Sequence, residues 1–360
     1  MANKNNYCVI MAGGIGSRFW PVSCKSYPKQ FLDFFGIGRS LFQQTFDRFV
    51  NKINLENIFV ITNELYKDIV TQQLPELKPE QILLEPARRN TAPCIAWASY
   101  HIRAINPNAS IVVTPCDHLI LKEKEFLESI ERGLEYVAES DCLLTLGLKP
   151  NSPETGYGYI QIDEKISDYF YKVKTFTEKP EIELAKDFVE SGEFYWNSGI
   201  FIWNVNTIIR AGEKLLPEIS SKFSNYQNLF GTDQEQKIIN EIFPTCPNVS
   251  IDYGLMEKAD NVCVSIADFS WADLGTWVSL YELSPKDKQG NVALKGETLT
   301  YNCKNNIVSL PKGKLAVIDG LEGYLVADTD KVLLICKKDE EHSVRKYVND
   351  IQMKTGDEFI

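Results

Sequence analysis

Apolar residues come in blocks along the first half of the chain. Residues 7–11 (YCVIM), 57–62 (NIFVIT), 81–84 and 109–114 (ASIVVT) are short apolar runs bounded by polar turns, the pattern of strands buried on both faces. Between them, Phe42, Phe46, Phe49 and Ile53 recur on one helical face behind Ser40, which can cap it. Residues 65–74 read as a second helix, and Ile95, Ala98, Ile102 and Ile105 mark a third. Alternating strand and helix predicts an α/β fold, a Rossmann-like three-layer α/β/α domain whose ligands gather at the carboxyl ends of its parallel strands. From 141 strands dominate, at 142–148, 157–163, 169–177, 199–204 and 261–267, interrupted by helices at 207–216 and 233–243; the sheet therefore continues as a mixed one. The best boundary is Ser284 to Gly290, which divides the chain into 1–285 and 286–360. Beyond it, Val308, Val317, Val326 and Leu334 recur between turn residues and predict a small β-coil or meander. A terminal helix follows, with Val344, Val348 and Ile351 on one face and Asp339 to Glu341 at its N-terminus, where the dipole favours acids.

Three polar turns fall at the same end of these predicted strands. The first is Ala12-Gly13-Gly14-Ile15-Gly16-Ser17-Arg18, followed by Pro28-Lys29-Gln30. A buried strand that ends in glycines, with cations beyond, suits a polyphosphate: backbone N–H groups approach the anion closely and the cations offset its charge. The turn lacks the Lys-Ser/Thr of a phosphate loop, and Phe19 stands where a dinucleotide turn has its last glycine. The second turn runs from Glu85 to Pro93 and carries Arg88 and Arg89; the third is Pro115-Cys116-Asp117-His118. Asp117, and Asp273 within the run from Trp271 to Trp277, could together hold Mg²⁺, which takes one or two carboxylates plus substrate phosphates. The alternative is that Asp117 caps a turn and Asp273 caps a helix at 275–282. Glu178 and Asn197 could hydrogen-bond sugar hydroxyls and Lys179 could pair with a phosphate, or all three could sit in solvated strand-end turns.

The net charge of −11 argues against nucleic acid or an anionic membrane as partner, and leaves room for a nucleotide held by local cations. No apolar stretch reaches the roughly 18–20 residues of a membrane span, and residues 1–6 lack the apolar core of a signal peptide, so the expected location is cytoplasmic. Nine cysteines without CxxC pairs are expected to be reduced rather than metal-bound.

Taken together, these stretches resemble the sugar nucleotidyltransferases, and among them the mannose-1-phosphate guanylyltransferases. The matching segments are MAGGIGSRFWPVSCKSYPKQF, EPARRNTAPCIAWA, TPCDHLI, TGYGYI, TFTEKP, WNSGIF and WADLGTW, in the family's order over about residues 7–285. The resemblance implies GTP and mannose 1-phosphate as substrates, Mg²⁺ as cofactor and a homodimer. It places Ala12, Gly13, Gly14, Gly16, Ser17 and Arg18 around the triphosphate with Lys29 beside it. It assigns Glu85, Pro86, Asn90 and Thr91 to the nucleotide, and Asp117 and Asp273 to the metal. Gly158, Glu178 and Asn197 would contact the hexose and Lys179 its 1-phosphate, with Arg18, Lys29 and Lys179 as the catalytic cations. It likens the short tail to a left-handed β-helix, and leaves no room for the cupin-type isomerase domain of longer relatives. The same transfer with another hexose or heptose 1-phosphate or another nucleotide, and a non-catalytic sugar-nucleotide sensor, remain alternatives; the glycine pattern disfavours hydride transfer.

Overall fold

Fully apolar strands need neighbours on both sides, and the chain provides them in a single large sheet. The computed structural model describes residues 3–14 and 16–360, with the side chain of Ser17 left out. Among the described residues, nine strands form one mixed sheet: β1 (Asn6–Met11), β2 (Ile58–Asn63), β3 (Ile82–Glu85), β4 (Ser110–Pro115), β6 (Leu143–Leu148), β7 (Tyr159–Lys165), β8 (Phe170–Thr177), β9 (Phe194–Asn204) and β10 (Val262–Ala267), in the order β3-β2-β1-β4-β9-β6-β10-β8-β7. The first four run parallel, with Val9 opposite Phe59 and Val113 and Val60 opposite Ile82, so β1, β3 and β4 end on one edge at Met11, Glu85 and Pro115. β9 is antiparallel to both β4 and β6, which turns the wound unit into a mixed sheet. The predicted strand at 199–204 begins five residues earlier, at Phe194, and brings Asn197 into the sheet.

Two compact units divide the chain. The first takes 1–13, 46–115 and 120–271; the second takes 14–45, 116–119 and 272–360. The expected boundary at 285/286 therefore lies inside the second unit. The reason is packing: Phe19, Trp20, Leu32, Phe34 and Leu41 share one buried cluster with Leu274, Trp277, Leu280, Val292, Ile307 and Leu325. A separate two-stranded sheet pairs β5 (His118–Ile120) with β11 (Trp271–Asp273).

In the first unit, Tyr7, Val9, Ile111 and Val113 belong to a core shared with Trp97, Ala98 and Ile102 of the helix Thr91–Ile105. The amphipathic helix Glu123–Glu139, which buries Phe126, Ile130, Leu134 and Val137, has no counterpart in the sequence reading, although its apolar spacing is helical. The helices Ile182–Ser191 and Pro217–Ser224 are likewise additional.

In the second unit, β12 (Val292–Tyr301), β13 (Ile307–Asp319) and β14 (Tyr324–Asp328) pair in parallel, and β15 (Leu333–Lys337) closes antiparallel on β14. Parallel neighbours joined by short connections make a coil, not a meander, which would alternate direction. The terminal helix spans Val344–Thr355, while Asp339 to Glu341 lie in a 3-10 turn before it. Glu341 does not serve that helix: its Oε2 accepts the Val278 N–H (2.9 Å), at the start of the helix Trp277–Leu283. No helix of the described residues is long and apolar enough to cross a membrane.

Candidate active site

The glycine turn leaves β1 under tight control. Ala12 donates its N–H to the Ile61 carbonyl (2.8 Å) and accepts the Thr62 hydroxyl (2.8 Å). Gly14 continues into the second unit, where its carbonyl accepts the Gln30 amide (2.8 Å). Gly16 has φ +62°, and a Cβ there would stand 2.7 Å from Cβ and Cγ of Lys29, so only glycine lets the lysine stem pass. The side chain of Ser17 lies outside the described residues.

That lysine is the centre of the second unit's polar cluster. Its ammonium is buried and meets Asp117 Oδ2 at 2.9 Å, Asp273 Oδ1 at 3.2 Å and the Leu274 carbonyl at 2.8 Å. An ammonium has three N–H donors, and these acceptors match them one for one. Lys29 thus clamps two acids that are far apart in sequence. Burial works against its charge, but Asp117 and then Asp273 outweigh it and lift the ammonium above its usual range. Burial likewise raises Asp117, yet Lys29 and then His118 prevail and hold that carboxyl below the ordinary carboxylate value. Asp273 is not the cap of the following helix; Thr276 is, its hydroxyl accepting the Ser279 N–H (3.1 Å). Arg18 joins the same group: a Cβ on Gly275 would lie 3.4 Å from Arg18 Nη1 and 3.6 Å from Asp273 Oδ2.

The other expected residues form two groups in the first unit. Asn90, at φ 65°, caps the helix Thr91–Ile105 by accepting the Thr91 N–H (2.9 Å). Thr91 spends its hydroxyl as acceptor of the Ile251 N–H (2.8 Å), and Ala92 donates its N–H to the Val249 carbonyl (3.1 Å). Glu85 is buried and accepts the Cys94 thiol, and a Cβ on Gly13 would meet its Oε2 at 3.4 Å. Beside it Pro86 and Arg88 line a cavity of about 530 Å³ with Asn63, Glu64 and Leu65, where Arg88 donates to the Tyr66 hydroxyl (2.6 Å).

Burial pushes the Glu85 carboxyl up to about 7, against smaller opposing effects of Cys94 and Arg88. The folded chain therefore keeps a proton that the unfolded chain releases near 4.5, so this contribution to stability is whole below pH 4.5 and is lost as pH rises through about 7. Glu85→Gln keeps an acceptor for Cys94 without an ionisation. Denaturant unfolding from pH 4.5 to 7.5 is expected to give a shallower loss of stability for the variant than for wild type; parallel curves would contradict this.

The second group lies around Gly158. Its carbonyl accepts the Asn197 N–H (2.8 Å), and a Cβ there would stand 2.5 Å from Glu178 Oε2 and 3.3 Å from Asn197 Cβ. Glu178 accepts from the Lys179 ammonium. Asn197 Oδ1 accepts the Thr145 hydroxyl (2.9 Å), and its Nδ2 donates to Asp252 Oδ1 (2.9 Å). Asp252, Tyr253 and Glu257 were not foreseen in the sequence. Glu257 accepts the Glu178 N–H (2.8 Å), and the Tyr253 hydroxyl donates to the Glu178 carbonyl (3.2 Å). Asp252 opens a π-helical turn, Asp252–Met256, a local departure that recurs at functional sites. The signal available was an acid set among Ile251, Leu255 and Met256, too sparse to read without its partners. Burial first, and then the Glu178 charge, push the Asp252 carboxyl up to about 7.

Lys29 thus joins two acids beside Arg18, and a glycine turn follows a parallel strand, an arrangement whose chemistry suits a polyphosphate. Residues 7–290 match the Nucleotidyl transferase family, and the chain belongs to it. Within that family it belongs with the mannose-1-phosphate guanylyltransferases. Relatives carrying that name from Salmonella montevideo (37% identical over 361 residues) and Klebsiella pneumoniae (36% over 357 residues) each align with 98% of this chain and 75% of their own length. A crystal structure from Thermus thermophilus, described as a mannose-1-phosphate geranyltransferase, superposes with a TM-score of 0.87 at 28% identity, covering 97% of this chain and 99% of that one. A Helicobacter pylori structure described as a mannose-6-phosphate isomerase has a TM-score of 0.60 at 25% identity over 74% of this chain and 99% of that one.

Proposed function

We propose that the chain transfers GMP from GTP to α-D-mannose 1-phosphate, giving GDP-mannose and pyrophosphate. The observation that carries this reading is the near full-length similarity to relatives named for that activity. The chemistry of the two polar clusters supports it. The attacking oxygen of a sugar 1-phosphate is already anionic, so in-line displacement at the α-phosphorus needs no general base and no nucleophilic side chain. What it needs is positioning and charge neutralisation. Arg18 and the glycine-turn N–H groups supply these at the triphosphate, and Lys179 at the sugar phosphate. Glu178 and Asn197 hold hexose hydroxyls, while Glu85, Pro86, Asn90 and Thr91 form the nucleotide turn.

The donor set suits Mg²⁺. Asp117 and Asp273 are hard oxygen donors already converged by Lys29, and Mg²⁺ takes one or two carboxylates with its remaining ligands from phosphates and water. When bound, Mg²⁺ would neutralise charge developing on the phosphates. Lys29, its three donors taken by the two acids and the Leu274 carbonyl, serves this site by fixing the separation of the acids rather than by reaching the triphosphate itself. The same reading makes the protein a cytoplasmic homodimer and likens the short tail, residues 286–360, to a left-handed β-helix; the parallel pairing of Val292 with Ile307 and of Ile307 with Leu325 supports a coil there.

Purified protein with Mg²⁺, GTP and mannose 1-phosphate is expected to release pyrophosphate faster than with any other pair from a panel of nucleoside triphosphates and hexose or heptose 1-phosphates. A different preferred pair would correct the substrates. No turnover with any pair, from folded protein, would overturn the reading.

A further inference from the structure

The segment following Lys338 is fastened to both loops that carry the second unit's polar cluster. Glu341 Oε2 accepts the Val278 N–H (2.9 Å), one residue inside the helix that follows Asp273, Gly275 and the Thr276 cap. At its other end the buried Trp20 donates its indole N–H to the Phe359 carbonyl (2.8 Å), and Lys25 approaches both carboxylate oxygens of Asp357 at 3.5 Å. Gly356, with φ +68°, turns the chain back from the helix Val344–Thr355, and Gln352 steadies the return by donating to Asp357 Oδ1 (2.9 Å). Between these ends, Tyr347, Val348 and Ile351 pack on the cluster that contains Phe19, Trp20, Leu274 and Trp277. The rings of Phe19 and Trp277 lie 5.3 Å apart and tie the two loops to each other. Arg18 and Asp273 approach each other over Gly275, and each directly precedes a buried member of this cluster, Phe19 and Leu274 respectively.

We infer that the segment 341–359 is a positioning element for the nucleotide end of the reaction, holding Arg18 through Trp20 and Asp273 through Val278. The inference rests on the proposed guanylyl transfer for its substrate. It assigns the tail a task beyond closing the coil: the loop bearing Arg18 is braced by a main-chain carbonyl remote in sequence. One hydrogen bond of this kind corresponds to about a fivefold change in binding, and the loss falls on the ligand that Arg18 meets.

Two changes remove the same hydrogen bond from opposite sides. Trp20→Phe keeps an aromatic ring in the core and deletes the donor; deletion of residues 357–360 removes the acceptor. Each is expected to raise KM for GTP about fivefold, to leave KM for mannose 1-phosphate within about twofold, and to weaken binding of Mg²⁺–GTP by calorimetry in the same proportion. The double variant should be no worse than the more affected single one, because effects on one shared contact do not add. Lys25→Gln, which spares the indole bond, should change KM for GTP less than either. Unchanged GTP affinity in Trp20→Phe, effects that add in the double variant, or equal rises in both KM values would each overturn the inference. If the deletion lowers thermal stability sharply, Trp20→Phe alone decides. Should wild type turn over no substrate pair, the functional reading fails, while calorimetry with Mg²⁺–GTP still tests the brace.

Discussion

Lys29→Met is expected to reduce turnover by about 10² through misplacement of the two acids and to destabilise the protein by about 2 kcal/mol. The lysine ammonium is the common partner of Asp117, Asp273 and the Leu274 carbonyl, so its loss leaves two carboxylates facing each other across the space it filled. Removing one member of a fully buried pair costs about 3–5 kcal/mol; the two acids here are 26% and 29% exposed, and solvent screens part of the repulsion. Without the clamp the acids separate, and the geometry that would receive a divalent cation is lost. Two controls isolate the cause. Millimolar Mg²⁺ is expected to restore more stability to Lys29→Met than it adds to wild type, because a cation then replaces the missing charge. Asp117→Asn and Asp273→Asn should abolish metal-dependent turnover with the fold intact. Denaturant unfolding with and without Mg²⁺, alongside steady-state rates, provides the test; wild-type turnover in Lys29→Met would remove the clamp from the mechanism.

Glu178→Gln is expected to raise KM for mannose 1-phosphate about 30-fold, as for loss of a hydrogen bond worth about 2 kcal/mol to a charged group, while KM for GTP stays near wild type. Glu178 touches Gly158, Lys179, Tyr253 and Glu257, and its charge is a main reason, after burial, for the high Asp252 value. The pH profile carries a second signature. Burial and Glu178 push the Asp252 carboxyl up to about 7, so above that pH two carboxylates crowd the pocket proposed for the anionic sugar phosphate. KM for mannose 1-phosphate in wild type should therefore rise as pH passes upward through about 7. In Glu178→Gln the like charge is gone, the Asp252 value falls toward the ordinary 3.8, and that rise should move to lower pH. A KM profile with the same midpoint in both proteins would show that the two acids do not communicate.

The parts of this account legible in the sequence are those built from neighbouring residues. Tyr7 to Ile10, Ile58 to Ile61 and Ile111 to Val113 are continuous apolar runs because each is buried on both faces, and they became adjacent parallel strands. The glycine turn, the Asn90-Thr91 helix start and the strand end before Asp117 follow from the same local logic. That Asp117 and Asp273 converge was expected; that Lys29 is the piece between them was not, because an ammonium with three acceptors looks in sequence like any cation near a turn. Asp252 escaped for a different reason. It reaches Asn197 only because Thr91 and Ala92, over 150 positions earlier, hold residues 249–251 in place. The division into units was hidden likewise, since Phe19 and Trp20 choose partners such as Trp277 and Ile307 at long range. Glu341 shows the limit of a local rule: a helix-dipole argument placed it at the helix beginning at Val344, yet its carboxylate accepts a first-turn N–H of the one beginning at Trp277.

If the glycine turn presents a triphosphate for attack at its α-phosphorus, the nucleotidyl group moves and the outer phosphates leave together. GTP labelled at the α-phosphorus and incubated with the protein, Mg²⁺ and mannose 1-phosphate tests this in one chromatogram. The label is expected to move into GDP-mannose in a one-to-one ratio with unlabelled pyrophosphate. Label retained in GDP, with a single phosphate transferred to the sugar or to water, would contradict it.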